Sequence, residues 1–161
     1  MLTRIRKLGD SVLTRATKDI ETFDASLESL AEDMMEIMYA SRGVGLAANQ
    51  IGLNKSIFVY DDQMRHKGAI CNPICTIEDS TSTVYAQEGC LSVPGQFHLI
   101  PRYDKVTITG QKINGDKIEI CASGILAQIF QHEIDHLKGK LYITKLPKAT
   151  QMAIVLANQV I

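Results

Sequence analysis

Tryptophan is absent from this chain, and aromatic residues make up only 6% of it. Aromatic side chains provide the surfaces on which single-stranded nucleobases stack, so that class of ligand is not expected. Charge of one sign is not in excess either, because 17 basic residues stand against 18 acidic residues and are scattered along the chain. We therefore expect no direct recognition of nucleic acid and no binding to an anionic membrane.

Long apolar runs and linker-like segments are missing as well. No run could span a bilayer, and the first seven residues lack the apolar core of a signal peptide, so we expect a cytoplasmic protein. Without a Gly/Ser-rich or Pro-rich linker, the 161 residues predict a single domain, residues 1–161. The protein is also expected to be a monomer, although no sequence feature fixes its oligomeric state. The four cysteines are then expected to be free thiols or metal ligands rather than disulfides.

The pattern of apolar residues predicts an α+β fold. Residues 23–39 form an amphipathic helix, residues 123–137 a second helix that ends at Gly139, and residues 147–158 a short C-terminal helix. Asn114-Gly115 is typical of a type I′ hairpin turn between two strands. Runs rich in β-branched residues predict short strands at residues 56–60, 69–77, 84–86, 106–109 and 117–121.

The segment His132-Glu133-Ile134-Asp135-His136 carries the strongest chemical signal. Residues four apart on a helix lie one above the other, so both imidazoles can bind one metal ion. Glu133 is offset by about 100° around the helix, where it can contact an activated water without binding the ion. The alternative is two histidines on a solvated helix face, but the apolar neighbours Ile125, Ile129 and Ile134 are expected to be buried, which favours the metal site.

A catalytic site of this kind needs a third protein ligand. Beyond Leu137 the chain contains no His, Cys, Asp or Glu, so the third ligand must precede the helix. Cys90 is favoured by its context, since glycine precedes it and Glu88 can support a histidine ligand. The other candidates are Cys71, Cys75, Cys121, His66 and His98.

A glycine-bearing loop at residues 43–52 is the third notable segment. It resembles a dinucleotide-binding motif only superficially, because it follows a helix rather than a strand and no helix continues from it. Two interpretations remain open. The loop either presents backbone groups and the Gln50 amide to a substrate, or is simply a tight turn that requires two glycines.

Together these segments resemble the peptide deformylase family. That family carries G-x-G-x-A-A-x-Q, E-G-C-L-S and Q-H-E-x-D-H-L motifs, which occur here in the same order at residues 43–50, 88–92 and 131–137. The resemblance implies a central metal-binding helix surrounded by small antiparallel β-sheets. It also implies hydrolytic removal of the formyl group from the formyl-methionine of new polypeptides, with release of formate. The resemblance further implies that the protein acts in N-terminal methionine processing during protein biosynthesis. It could meet its substrates near the ribosome exit tunnel.

The resemblance also implies a role for individual residues. It assigns one divalent metal ion, Fe²⁺ by preference with Ni²⁺, Co²⁺ or Zn²⁺ as alternatives, to Cys90, His132 and His136. Glu133 would be the general base and then the acid, and the oxyanion hole would comprise Gln50 and the Leu91 backbone N–H. Substrate-binding residues would be Gly45, through its backbone, and Val44, Ile125 and Ile129 around the methionine side chain.

Two rival hypotheses about function remain open at this point, and so does the type of organism or organelle from which the chain comes. A small metallopeptidase would use a third ligand other than Cys90. A non-catalytic metal-binding module would use Cys71 and Cys75 with both histidines as a closed site. The chain could come from a bacterial, viral or organellar source, so the organellar matrix or a host cytoplasm is an alternative location.

Overall fold

The computed structural model describes residues 4–159, and the ends of the predicted domain, residues 1–3 and 160–161, lie outside them. Within the described part the helices are α1 (Ala25–Ala40), α2 (Gly124–Leu137) and α3 (Lys148–Asn158). Asp24 caps α1, its carboxylate accepting from the backbone N–H groups of Ser26 and Leu27. The strands are β1 (Gly45–Ala47), β2 (Ile57–Asp61), β3 (Lys67–Thr76), β4 (Thr83–Cys90), β5 (Val93–Tyr103), β6 (Lys105–Gln111) and β7 (Lys117–Ser123).

The strands form two antiparallel sheets. The larger has five strands in the order β1-β2-β3-β6-β7, and the smaller is the β4–β5 hairpin. Helix α2 packs against strands of both sheets, and its buried face includes His136 and Glu133. This arrangement confirms the predicted α+β class, with a central helix carrying the histidines. No helix among residues 4–159 is long and apolar enough to cross a membrane.

An aromatic cluster joins α2 to the large sheet. Phe130 of α2 packs edge-on against Tyr60, with ring centroids 4.8 Å apart, and lies 5.7 Å from the ring of Phe58. Phe58 and Phe130 are fully buried. Aromatic pairs at these distances contribute beyond the area they bury, so the cluster fixes the position of α2 on the sheet.

Replacing Phe130 with alanine is expected to lower the free energy of unfolding by about 3–5 kcal/mol, because it leaves a cavity at the centre of this cluster. Chemical denaturation with a matched variant, Ile74→Ala, measures the effect. Ile74 is exposed on β3, so its loss should change the free energy of unfolding by less than about 0.5 kcal/mol. Equal effects of the two substitutions would show that the cluster does not anchor α2.

The structure corrects several predicted elements. Strand β5 was not predicted, because Pro94, Gly95 and Pro101 interrupt its pattern, yet a two-stranded hairpin tolerates proline where no further strand pairs with it. Strand β4 is longer than residues 84–86, and β1 lies inside the predicted loop. The turn at Asn114-Gly115 does join β6 and β7, but only Gly115 has positive φ, at 91°, so it is not a type I′ turn.

Candidate metal centre and active site

Three side chains converge where the end of β4 meets α2. Cys90 follows a shift in the β4–β5 register, which turns its side chain toward the helix, while His132 and His136 occupy successive turns of α2. His136 Nε2 lies 3.2 Å from Cys90 Sγ and 3.2 Å from His132 Nε2. All three ligand atoms lie within 4.8 Å of one another. Metal–ligand bonds of roughly 2.0–2.3 Å in a tetrahedral site separate the ligand atoms by distances similar to those seen here. These three residues therefore fit one divalent ion.

The electrostatics of the cluster favour the metal-binding form of the cysteine. Burial raises the pKa of Cys90, but the adjacent imidazoles of His136 and His132 outweigh burial and hold that pKa well below its usual value. A thiolate is the form of cysteine that binds a metal ion. The donor set of one thiolate and two imidazoles therefore suits a divalent transition metal.

A buried carboxylate orients His132. Glu88 Oε1 lies 2.7 Å from His132 Nδ1, so an ionised Glu88 accepts a hydrogen bond from the Nδ1–H group. This leaves the Nε2 lone pair directed at Cys90 and His136. Burial alone would raise the pKa of Glu88, but hydrogen bonds from Arg102 and His132 lower it to about 2. Arg102 donates to both Glu88 oxygens at 2.6 and 2.8 Å and to Asp135 at 2.6 Å. The buried Glu88 carboxylate therefore stays ionised, because the Arg102 guanidinium pairs with its charge.

Glu133 lies beside the three ligand residues and is not one of them. Its side chain is buried, and its Oε2 is without a hydrogen-bond partner among residues 4–159. Burial raises the pKa of this carboxyl, while His132 and His136 act in the opposite direction. A buried carboxylate with a free oxygen and a raised pKa suits proton transfer near neutral pH.

Gly45 of β1 makes room for that carboxylate. A Cβ atom added at Gly45 would lie 2.4 Å from Glu133 Oε1, closer than two such atoms can approach. The glycine is therefore required at this position by contact with Glu133, in addition to any role of its backbone toward a substrate.

Gly45→Ala is expected to displace the Glu133 carboxylate and to lower kcat by about 100-fold, the scale associated with a misplacement of about 1 Å at a reacting centre. Bound metal should be retained, since no ligand residue changes. Gly68→Ala is a matched control on β3 of the same sheet, because a Cβ there meets no atom closer than 3.6 Å. Steady-state kinetics and metal analysis of both variants test this, and full activity in Gly45→Ala would contradict the geometry.

The Gln50 amide is oriented by the loop that carries it. The backbone N–H of Ala47 donates to Gln50 Oε1 at 3.0 Å, so the amide NH₂ faces the ligand cluster. There Gln50 Nε2 lies 3.2 Å from Ser92 Oγ and 3.7 Å from Cys90 Sγ. The segment is a turn of 3-10 helix, Ala48–Ile51, rather than a simple glycine turn. Of the two interpretations left open for this loop, the one that directs the Gln50 amide into a site agrees with the geometry.

A cavity of about 650 Å³ opens onto this centre. Most of the residues expected at the site line it, and His136 lies behind it, buried. Ile129 is buried in the wall, whereas Ile125, expected to be buried, is 47% exposed at the rim because it lies in the first turn of α2. The expected site residues that line the cavity are Val44, Gly45, Gln50, Cys90, Leu91, Ile125, Ile129, His132 and Glu133.

The alternative metal ligands are not assembled at this centre. Among residues 4–159, the group of His, Cys, Asp and Glu side chains close enough to share an ion is Cys90 with the two α2 histidines. Cys71 and Cys75 lie within strand β3, paired with Gln111 and Ile108 of β6. Burial raises the pKa of Cys71 to about 11, so its thiol stays protonated at neutral pH.

Two contributors to the site were not predicted from the sequence. The Tyr142 ring stacks on His132 with centroids 6.1 Å apart and lies beyond the helix, outside any motif. The N-terminal segment connects the two loops of the site, since the Arg6 backbone N–H donates to Gln50 O, the Leu8 backbone N–H to Ser92 O, and Lys7 Nζ to Leu91 O. The sequence around Arg6, Lys7 and Leu8 shows no helix or strand periodicity, so it did not predict these contacts.

Comparison with known proteins agrees with this geometry. The family model described as polypeptide deformylase matches residues 2–152. Peptide deformylase 1 of Streptomyces avermitilis is 42% identical over 150 residues, which cover 89% of this chain and 69% of that protein. The peptide deformylase of Halothermothrix orenii is 44% identical over 144 residues, covering 88% and 92%. The crystal structure of the Thermus thermophilus enzyme superposes with a TM-score of 0.88 at 39% identity, covering 97% of this chain and 92% of that one.

The chain therefore belongs to the polypeptide deformylase family, as its three motifs indicated. It is accordingly a metal-binding hydrolase of the class that removes formyl groups.

Proposed function

We propose that this protein removes the formyl group from the N-terminal formyl-methionine of newly synthesised polypeptides and releases formate. The observation that supports it most is the convergence of Cys90, His132 and His136 beside a buried, unpartnered carboxylate at the base of one cavity. A thiolate and two imidazoles would leave a bound ion with an open coordination position, and Glu133 lines the same cavity as Cys90 and His132.

Cys90, His132 and His136 hold the ion in this proposal. A divalent ion bound there lowers the pKa of water and polarises a carbonyl group. The protein's own part in the proton transfers belongs to Glu133, whose carboxylate accepts the proton of the attacking water and then delivers it to the departing amine. Burial and the free Oε2 keep this carboxyl available for both steps.

Charge that develops on the formyl oxygen needs hydrogen-bond donors already in place. The Gln50 amide has that orientation because Ala47 fixes its oxygen, and we assign the Leu91 backbone N–H as the second donor. The Gly45 backbone would bind the peptide, and Val44, Ile125 and Ile129 would enclose the methionine side chain. An apolar wall beside a few fixed polar groups suits an unbranched apolar side chain next to a carbonyl group.

The finer assignments follow from the family resemblance. We propose Fe²⁺ as the physiological ion, with Ni²⁺, Co²⁺ or Zn²⁺ as substitutes, because a Cys-His-His set accepts all four. N-terminal methionine processing during protein biosynthesis in the cytoplasm would be the setting, with the monomer meeting nascent chains near the ribosome exit tunnel.

Gln50→Ala is expected to lower kcat by about 100- to 1000-fold, the usual cost of removing one oxyanion donor. The metal content should not change, because Gln50 is not a ligand. Gln111→Ala provides a matched control on β6, away from the cavity. Single-turnover kinetics on metal-loaded protein distinguish the two, and an unchanged rate in Gln50→Ala would remove Gln50 from the oxyanion hole.

A mass-spectrometric assay separates deformylase from the rival metallopeptidase. Ni²⁺-loaded protein is incubated with formyl-Met-Ala-Ser and with a longer peptide that lacks the formyl group. We expect the first to lose its formyl group with every peptide bond intact, and the second to remain uncleaved. Cleavage of internal peptide bonds in the longer substrate would favour the metallopeptidase.

A further inference from the structure

The Asn49 amide is a buried polar group that has no part in the reaction proposed above. Asn49 is 1% exposed and directly precedes Gln50 in the 3-10 turn Ala48–Ile51. Burying an amide costs stability unless hydrogen bonds replace those it made to water. The partners of this side chain therefore indicate why a polar residue lies at this position.

The partner of Asn49 belongs to the metal helix. Asn49 Nδ2 donates to the backbone carbonyl of His136, 87 positions later in the chain. His136 lies in the last turn of α2 and is one of the three residues that can share an ion. Its carbonyl also accepts from the Gly139 backbone N–H at 2.9 Å, so both lone pairs are used. Among residues 4–159, the Asn49 contact is the hydrogen bond that joins the Ala48–Ile51 turn to α2.

The other end of the Asn49 amide argues against a role in packing alone. Asn49 Oδ1 is buried and accepts no hydrogen bond in the described part of the chain. That acceptor has lost water without a replacement, which opposes folding. A leucine side chain of similar volume would fill the same space without this cost. The amide is therefore explained by what its Nδ2 group holds.

The Gln50 amide needs such a connection to the helix. The hydrogen bond from the Ala47 backbone N–H orients the amide within its own loop, and the Arg6 backbone N–H ties the Gln50 carbonyl to the N-terminal segment. Neither contact reaches α2. Gln50 Nε2 lies 3.7 Å from Cys90 Sγ, so a shift of the turn relative to α2 would change the place of the amide beside the metal centre.

We propose that Asn49 is a positioning residue, which holds the Gln50 amide in place beside the metal centre by tying its turn to His136. This inference rests on the proposed function. An oxyanion donor stabilises the transition state only when it is already placed where the charge develops. Without the Asn49 contact the turn can move relative to α2, and the Gln50 donor would then miss the formyl oxygen.

Two substitutions remove the Asn49 donor in different ways. Asn49→Leu keeps the volume of the side chain, and Asn49→Asp keeps its shape but cannot donate. Since Gln50 acts in the transition state, we expect kcat to fall by about 10- to 100-fold while KM changes by less than about 3-fold. In a Gln50→Ala background the same substitutions should lower kcat by less than about 3-fold, because the interaction that they disturb is already lost.

Cobalt-loaded protein gives a readout that needs no turnover. A hydrogen bond from the Gln50 amide stabilises the lone pairs of the Cys90 thiolate, so its loss should move the thiolate-to-cobalt charge-transfer band to longer wavelength. We expect this shift in Gln50→Ala and in both Asn49 variants. Asn72→Asp is the matched control, because Asn72 Nδ2 also donates to a backbone carbonyl, that of Ile20, at 2.9 Å, and lies away from the cavity. It should leave kcat and the band unchanged.

The outcomes separate the two proposals. Absence of formate release by the wild type would overturn the proposed function, and the cobalt band would still test the role of Asn49. Wild-type kcat in both Asn49 variants would overturn the positioning role alone. Full additivity of the losses in the Gln50→Ala background would do the same, as would a band that moves in Gln50→Ala but stays in place in both Asn49 variants.

Discussion

Glu133→Gln is expected to abolish nearly all formate release while leaving the metal centre intact. The substitution keeps the volume of the side chain but removes its capacity to accept a proton, a change worth about 100- to 10,000-fold in rate. Metal content should match that of the wild type, since the ligand atoms belong to Cys90, His132 and His136. Formate release and metal analysis on the same preparation measure both quantities.

Stability provides a second readout for this variant. Glu133 Oε2 is buried without a partner in the described part of the chain, and burial penalises the ionised form. Removing that charge should leave the metal-free Glu133→Gln protein at least as stable as the wild type toward heat. Glu119→Gln, exposed on β7, controls for the chemical change alone. Formate release within 10-fold of the wild type would show that another group is the base, since a general base contributes about 100-fold or more.

Cys90→Ala is expected to lose the metal ion and with it the activity. It removes one of three ligand atoms, so the affinity should fall further than the roughly 10- to 100-fold that the loss of a supporting hydrogen bond costs. Dialysis against Co²⁺ followed by absorption spectroscopy reports the change, because thiolate-to-cobalt charge transfer requires the Cys90 sulfur.

The other cysteines serve as matched controls for this experiment. Cys121 is exposed on β7, and Cys75 lies within β3, so Cys121→Ala and Cys75→Ala should bind cobalt with the wild-type spectrum. The closed-site hypothesis makes the opposite prediction. It would be supported if the charge-transfer band survived in Cys90→Ala and disappeared in Cys75→Ala.

The chemistry of the site could be predicted from the sequence because its parts are local. Four residues separate His132 from His136, and helical geometry alone brings their rings together. The absence of any ligand type after Leu137 then directed the search upstream, and the contact between Cys90 and His136 agrees with that choice. The raised pKa of Glu133 also follows from its place on a buried helix.

What the sequence did not predict depends on contacts between distant segments. Strand β5 is interrupted by prolines, and its existence is fixed only by pairing with β4. Tyr142 stacks on His132 after the chain has turned back from α2, and no spacing signals that contact. The clash that forbids a side chain at Gly45 arises from Glu133, 88 positions later. Such requirements become visible only when the two segments are seen together.

The most direct test of the account is formate release per bound metal ion. Wild-type protein is prepared anaerobically with increasing Ni²⁺ occupancy, and initial rates are measured on formyl-Met-Ala-Ser. We predict one ion per chain and a rate that rises in proportion to occupancy. Folded protein that binds one ion at the Cys90, His132 and His136 centre yet releases no formate would contradict the account.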